Sequence, residues 1–158
     1  MSILGNMQSI KVLSDLSDTK LKKIEKVTTV VTFSEGDYIF RENEYAEYLY
    51  SVISGKVALE LAIDSSNRCR VKDVFPGETC GISSVVDTGM RTYIAEGIAV
   101  LDSRMFRWKG SDLEKLFYED YEMGFIFMRN IGKILKKRLN NTRVQLVSGL
   151  YGAQAKSA

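Results

Sequence analysis

The spacing of apolar positions changes twice along the chain, and the changes divide it into three segments. In Ser14–Glu25, Leu21 and Ile24 fall on one helical face, with Ser17 or Asp18 placed to cap the start. From Val27 the period drops from about 3.6 to about 2. Val27–Phe33 is β-branched and aromatic, as strands prefer. Ser34–Asp37 reads as a turn before the strand Tyr38–Phe40, and Asn43 as a left-handed turn position. A strand over Tyr48–Ile53 is ended by Ser54-Gly55, and Val57, Leu59 and Leu61 then alternate with polar or small residues. Asp64–Asn67 is a hairpin turn returning as Arg68–Val74, and two short strands follow near Tyr93–Ile98 and Leu101–Trp108. Short strands about every 8–12 residues with glycine turns predict an all-β roll or barrel.

The last third returns to the helical period. Ser111 followed by Glu114 has the form of a capping box. Between Tyr121 and Val147, Phe127 or Met128, Ile131, Leu135, Leu139, Thr142 and Leu146 share one side, spaced as in a coiled-coil seam. That seam either packs on the roll or joins two copies of the chain. Residues 148–158 read as a frayed tail. The expected division is a single domain over 1–158: helical 1–26, β-roll 27–108, helices 110–147 and the tail.

Composition narrows the chemistry. Hydrophobic residues make up 45% and charged residues 27% of the chain, the balance of a soluble globular domain. Apolar runs stay short of the roughly 18 residues of a membrane span, and Met1–Asn6 lacks the marks of a secretory leader. With two cysteines and no CxxC, a reducing cytoplasm is the expected location. There are no histidines, which removes Ser-His-Asp and Cys-His catalysis and histidine-bearing zinc or haem sites. The scattered acids form no catalytic pair, so an enzyme is not expected, and neither is a cofactor or metal.

The candidate chemistry lies in Gly77–Thr92. A glycine turn leads into a short apolar helical turn, and Arg91 follows at a strand entry. Backbone N–H groups at Gly81, Ile82, Ser83 and Ser84, together with one guanidinium, can converge on an anion. The plain alternatives are a simple turn and a salt-bridged surface arginine. Cys80 reads as a packed thiol or a redox switch. Arg129, Lys133, Lys136, Lys137, Arg138 and Arg143 make the last helix basic, either as a solvated face or as a nucleic-acid surface.

Three glycine landmarks succeed one another: Gly36 in Phe33–Phe40, Gly55 in Leu49–Val57, and Gly77 after Phe75-Pro76. With Gly81 and Arg91-Thr92, they resemble the cyclic nucleotide-binding domain of catabolite-activator-type regulators, cyclic-nucleotide-dependent kinases and gated channels, over roughly Ile10–Leu146. The resemblance implies a mostly β fold: a double-stranded, jelly-roll-like β-roll of eight strands, with short N-terminal helices and a long C-terminal helix. It implies a phosphate-binding cassette in which Arg91 meets a cyclic phosphate and Ser83 and Ser84 occupy the start of a short helix whose N–H groups face it. Thr92 matches the channel versions, whose hydroxyl touches phosphate or guanine. Ile82 stands where the family has a glutamate for the ribose 2′-OH, and it cannot accept that hydrogen bond. The unpaired hydroxyl costs about 1–3 kcal/mol, a loss of roughly 5- to 150-fold in affinity. Glu78 lies in the turn before the cassette, and Tyr93 is bulkier than the family's usual residue near its position.

The implied function is a stand-alone sensory module binding cyclic AMP, cyclic GMP or a related small anion at Gly81, Ile82, Ser83, Ser84, Arg91 and Thr92. Asn141 and Thr142 on the last helix are the implied base contacts. The module signals through that helix, as a homodimer about Ile131, Leu135, Leu139 and Leu146 or to a protein partner. The family's regulators continue into a winged helix-turn-helix, for which residues up to Ala158 leave no room, so direct DNA binding is not expected. The alternative is a ligand-free interaction or dimerisation scaffold of the same fold.

Overall fold

In the computed structural model, residues 2–157 are described. Two short N-terminal helices, α1 (Ile3–Met7) and α2 (Asp18–Glu25), flank a 3-10 turn at Lys11–Leu13. Six strands follow: β1 (Thr28–Phe33), β2 (Tyr38–Phe40), β3 (Tyr48–Ala62), β4 (Arg68–Val74), β5 (Thr79–Cys80) and β6 (Glu96–Lys109). The chain then runs through α3 (Gly110–Glu119) and α4 (Tyr121–Ser157). This is the expected antiparallel roll with short N-terminal helices and a long C-terminal one.

The strand count differs from eight for an identifiable reason. The segments 48–53 and 57–61 join into the single strand β3, with register shifts through Ser54 and Lys56 rather than a break. Likewise β6 runs through the position of the expected gap, where its pairing with β3 shifts register between Ala99 and Leu101 without ending the strand. The sheet order is β1-β6-β3-β4, with β2 on β6 and β5 on β3.

Alternation along β3 and β6 sorts side chains into two cores. On one face, Leu49, Phe106 and Trp108 pack with α1, α2, Leu113 and the α4 residues Met123, Phe127 and Ile131. On the other, Tyr50, Val52 and Met105 meet Phe40, Val57, Val74 and Tyr93 inside the roll. Trp108 is fully buried, and its Nε1–H donates to Thr28 Oγ1 at 2.7 Å, so its one polar atom is satisfied.

Helix ends agree with the sequence in one case and depart from it in two. Ser17 Oγ accepts from Lys20 N–H, the expected cap of α2. For α3 the capping box does not form. The helix starts two residues early at Gly110, whose N–H is taken by Glu47 C=O, and Lys109 at the cap position offers no side-chain bond. The supposed frayed tail is helical as far as Ser157. Its Ala, Gln, Leu and Lys residues are good helix formers, and they outweigh Gly149 and Gly152.

The root of α4 is fixed by polar contacts across the chain. Asn130, buried on α4, donates through Nδ2 to the carbonyls of Val12 and Ser14 at 3.2 and 2.7 Å. Asp120, at the α3–α4 junction, accepts Lys20 Nζ at 2.8 Å on both oxygens and the Met123 N–H at 3.0 Å, and Lys23 lies 3.5 Å away. The Lys20 hydrogen bonds, with the Met123 N–H and the nearby lysine charges, hold its carboxyl down at about 2. The folded-state pKa is thus below the ordinary value of about 3.9. Its contribution is complete above that ordinary value and disappears as pH falls toward about 2. Urea midpoints should therefore drop more between pH 5 and pH 2 in the wild type than in Asp120→Asn, and Asp120→Asn should be the less stable at pH 7. Parallel pH profiles for the two proteins would remove this junction from the account.

Candidate functional site

The cassette is set by β5, which pairs with β3 at Tyr50↔Cys80 and Ser51↔Thr79. Ser51 and Thr79 hydroxyls meet at 2.7 Å, fully buried, and fix that short pairing. Gly81 then turns the chain with φ +78°, into the 3-10 turn Ile82–Ser84. A side chain there would be strained twice over. The left-handed backbone disfavours it, and a Cβ would sit 2.8 Å from Tyr48 C=O. Ser84 is buried, and its Oγ donates to Gly81 C=O at 2.8 Å. Ser84 C=O presses on Gly110, where an added Cβ would lie 2.1 Å away, so the cassette is wedged between β3 and the start of α3.

These contacts decide what each predicted residue can offer. The Ser84 hydroxyl is spent inside the cassette. Ile82 turns toward the helical core and packs there with Val85 and Val86. Ser83 is half-buried, and among the described residues the N–H groups of Ile82 and Ser83 have no backbone acceptor. Thr92 bridges to Tyr45 through its backbone, and Arg91 C=O accepts the Ala46 N–H at 2.9 Å. Asn141 and Thr142 are exposed on α4 and make no hydrogen bond to the cassette. Glu78 accepts the Phe75 N–H at 3.1 Å and lies 3.4 Å from both Lys11 and Lys72, so it holds its own turn. Burial pushes its pKa up, but the Phe75 N–H and the two lysines outweigh burial and leave it below the usual carboxylate range.

Arg91 is already paired. Its guanidinium donates to Asp87 Oδ2 at 3.2 Å through Nε and one terminal nitrogen, and to Glu114 Oε1 at 2.5 Å. The Glu114 hydrogen bond, with help from Asp87, raises its pKa further. One cation faces two carboxylates, so the mouth of the cassette carries a net negative charge rather than a vacant positive one. Asp87 is visible in the sequence as an i, i+4 partner; Glu114 is not, because its spacing from Ser111 suggests a cap.

The interior of the roll beside Gly81 is filled by aromatic rings. Tyr93 and Phe40 stack with centroids 4.3 Å apart, and Tyr50 stacks on Phe40 at 6.0 Å. The Tyr93 hydroxyl donates to Tyr48 C=O at 2.8 Å and accepts from Tyr48 N–H at 3.0 Å. Burial drives the Tyr93 phenol far above its ordinary pKa and pushes Tyr50 up to about 12, so both stay neutral. Cys80 is fully buried, and burial pushes its thiol up to about 12. It is a packed thiol and not a redox switch. Cys69 is exposed, and both cysteines are free.

The seam along α4 divides into two parts. Phe127 and Ile131 are buried in the domain's own core. Ile131 is therefore unavailable to a second copy, which corrects its assignment to a dimer contact. Beyond it, Leu135, Leu139 and Leu146 are 40%, 60% and 62% exposed. No helix among the described residues is long and apolar enough to cross a membrane.

The family model described as "Cyclic nucleotide-binding domain" matches residues 30–120. Among solved structures, the chain is 26% identical to a putative cyclic nucleotide-binding protein from Geobacter metallireducens GS-15, with a TM-score of 0.75, covering 88% of this chain and 99% of that one. It is 17% identical to the regulatory domain of Toxoplasma gondii PKA crystallised with cAMP (TM-score 0.70, covering 87% and 48%). It is 19% identical to the c-di-GMP responsive global regulator CLP of Xanthomonas campestris (TM-score 0.73, covering 83% and 63%). No curated protein matches the chain.

Two substitutions separate the buried cassette contacts from the surface ones. Tyr93→Phe removes a hydroxyl bonded to both backbone groups of Tyr48 and should cost about 1–3 kcal/mol in urea unfolding. Arg91→Ala removes a pair near the surface and should cost under about 1 kcal/mol. The reverse ranking would mean that the ion pairs, not the Tyr93 hydroxyl, hold the cassette shut.

Proposed function

The chain belongs to the cyclic nucleotide-binding domain family, and from that premise we propose that it is a regulatory module whose roll interior is closed by its own side chains and whose output is contact along α4. The regulatory descriptions of its structural neighbours, a kinase regulatory domain and a global regulator, support the class of function. The aromatic stack of Phe40, Tyr50 and Tyr93 is the observation that carries the closed-roll reading. A ligand seated against Gly81 from within the roll would have to displace Tyr93, breaking two hydrogen bonds and a stacked pair. It would also need to draw Arg91 from two carboxylates while gaining no ribose contact from Ile82.

The output follows from the free half of α4. Residues 139–157 run for roughly 28 Å at about 1.5 Å per residue. A helical segment of that length with an unpaired apolar stripe is marginal alone in water. Leu139 and Leu146 are spaced as a seam that a second α4 would cover, with Gly132 and Gly149 allowing close approach. The occupant is a second copy of the chain, packed α4 to α4.

One observation favours a second reading, in which a cyclic nucleotide enters. By its resemblance to the family, Arg91 matches the phosphate ligand, and among the described residues the Ile82 and Ser83 N–H groups lack backbone acceptors. In that case phosphate oxygens replace Asp87 and Glu114 on the guanidinium, and Tyr93 swings away.

Calorimetry with cyclic AMP, cyclic GMP and cyclic di-GMP separates the readings. The closed roll gives no saturable heat in the wild type at millimolar ligand. Saturable binding that Arg91→Ala abolishes would establish the second reading and end the first. Light scattering should give about twice the 17.8 kDa chain mass, and Leu139→Glu combined with Leu146→Glu should halve the observed mass. A wild-type monomer at high concentration would refute the α4 pairing.

A further inference from the structure

Outside the roll, α4 and the turn between β4 and β5 enclose a small cleft that none of Gly81–Thr92 lines. Lys137, Arg138 and Asn141 line it from α4, Lys11 from the N-terminal 3-10 turn, and Lys72 and Glu78 from β4 and the turn after it. Four cations meet one carboxylate there, a net charge of +3. Its volume is about 60 Å³, enough for several waters or one compact oxyanion.

Arg138 is the unusual member. One terminal nitrogen donates to Thr79 C=O, a neutral acceptor. Its Nε is buried with no hydrogen-bond partner. A half-buried guanidinium whose donors lack an anion is costly, and burial accordingly lowers its pKa from the ordinary arginine range. Among the described residues, no carboxylate is bonded to it. The single local acid, Glu78, is shared between two lysines at 3.4 Å each, distances too long for tight charge-assisted bonds.

We propose that this cleft binds a phosphate group, carried either by a small phosphomonoester or by the free ion. Arg138 supplies the planar fork suited to phosphate, Lys137 and Lys72 supply mobile point charges, and Asn141 supplies a neutral donor. The three segments lie far apart in sequence, so the cleft exists only in the folded chain. A bound phosphate would tie α4 to the β4–β5 turn at the point where the helix leaves the domain. The site depends on Arg138 and Lys137, whereas cyclic nucleotide at the cassette depends on Arg91, so the two can fail separately.

The test is calorimetry on the full chain with inorganic phosphate and with AMP, at ionic strength held constant with chloride. One saturable site per chain is expected. Arg138→Gln and Lys137→Gln should each weaken it by about tenfold or more, the value of one or two charge-assisted bonds. Lys133→Gln, an exposed basic position on the same helix outside the cleft, should change it less than about twofold. Tighter binding of AMP than of phosphate identifies a phosphomonoester, and equal binding identifies the free ion. Lys137 is exposed, so its variant keeps the test decisive if Arg138→Gln unfolds. Absence of saturable heat in the millimolar range would overturn the proposal. So would equal losses in Lys133→Gln and Lys137→Gln, which would reduce the effect to general surface charge.

Discussion

The fold depends on one ladder, β3 against β6. Every other strand pairs with one of these two: β1 and β2 with β6, β4 and β5 with β3. The ladder also partitions the interior. Leu49↔Trp108 and Ser51↔Phe106 set one face, and Tyr50↔Arg107 and Val52↔Met105 set the other. A slip of one residue would turn Trp108 and Phe106 from the helical core into the roll and Tyr50 out of it. Such a slip costs both cores at once, so the register is strongly specified.

The cassette inherits its geometry from that ladder. Tyr48 is held at the end of β3, and its carbonyl stands so close to Gly81 that no other residue type fits without strain. Tyr48 also holds the Tyr93 hydroxyl on both its backbone groups. One backbone unit therefore fixes the glycine turn and the ring that closes the roll. Arg91 lies only two residues before Tyr93. Its guanidinium pairs with Asp87 and Glu114.

Features governed by neighbours in sequence were legible. The Ser17 cap, the left-handed Asn43 and the glycine landmarks all follow from spacings of a few residues. The features that decide the site are contacts between distant segments. Glu114 fits a cap from local spacing, yet its carboxylate is committed to Arg91, 23 residues away. Ile82 is readable as the loss of a ribose ligand, but its packing against the helical core depends on segments distant in sequence. The bulky Tyr93 was visible, whereas its stacking on Phe40 is set by the pairing of β2 with β6. Periodicity could not tell which part of the α4 seam belongs to the domain. Phe127 and Ile131 continue into Leu135 and Leu139 with no change of spacing, and only the end of the roll divides them.

The α3–α4 junction links these elements mechanically. Glu114 joins the cassette to α3, Gly110 seats α3 on Ser84, and Asp120 pins the next helix to α2 through Lys20. A displacement that frees Arg91 from Glu114 removes a tie to the middle of α3, and only Asp120 separates the end of α3 from the start of α4. The root of α4 resists, because Asn130 and the buried Phe127 and Ile131 keep it on the domain. The segment left to respond begins near Arg138, where the helix parts from the β4–β5 turn. Any event at the cassette or the basic cleft can shift α4 only by its differential free energy between the attached and released helix. Among the described residues, Arg138 thus makes the last hydrogen bond along α4 to the rest of the domain, and it is the one that a bound anion would strengthen.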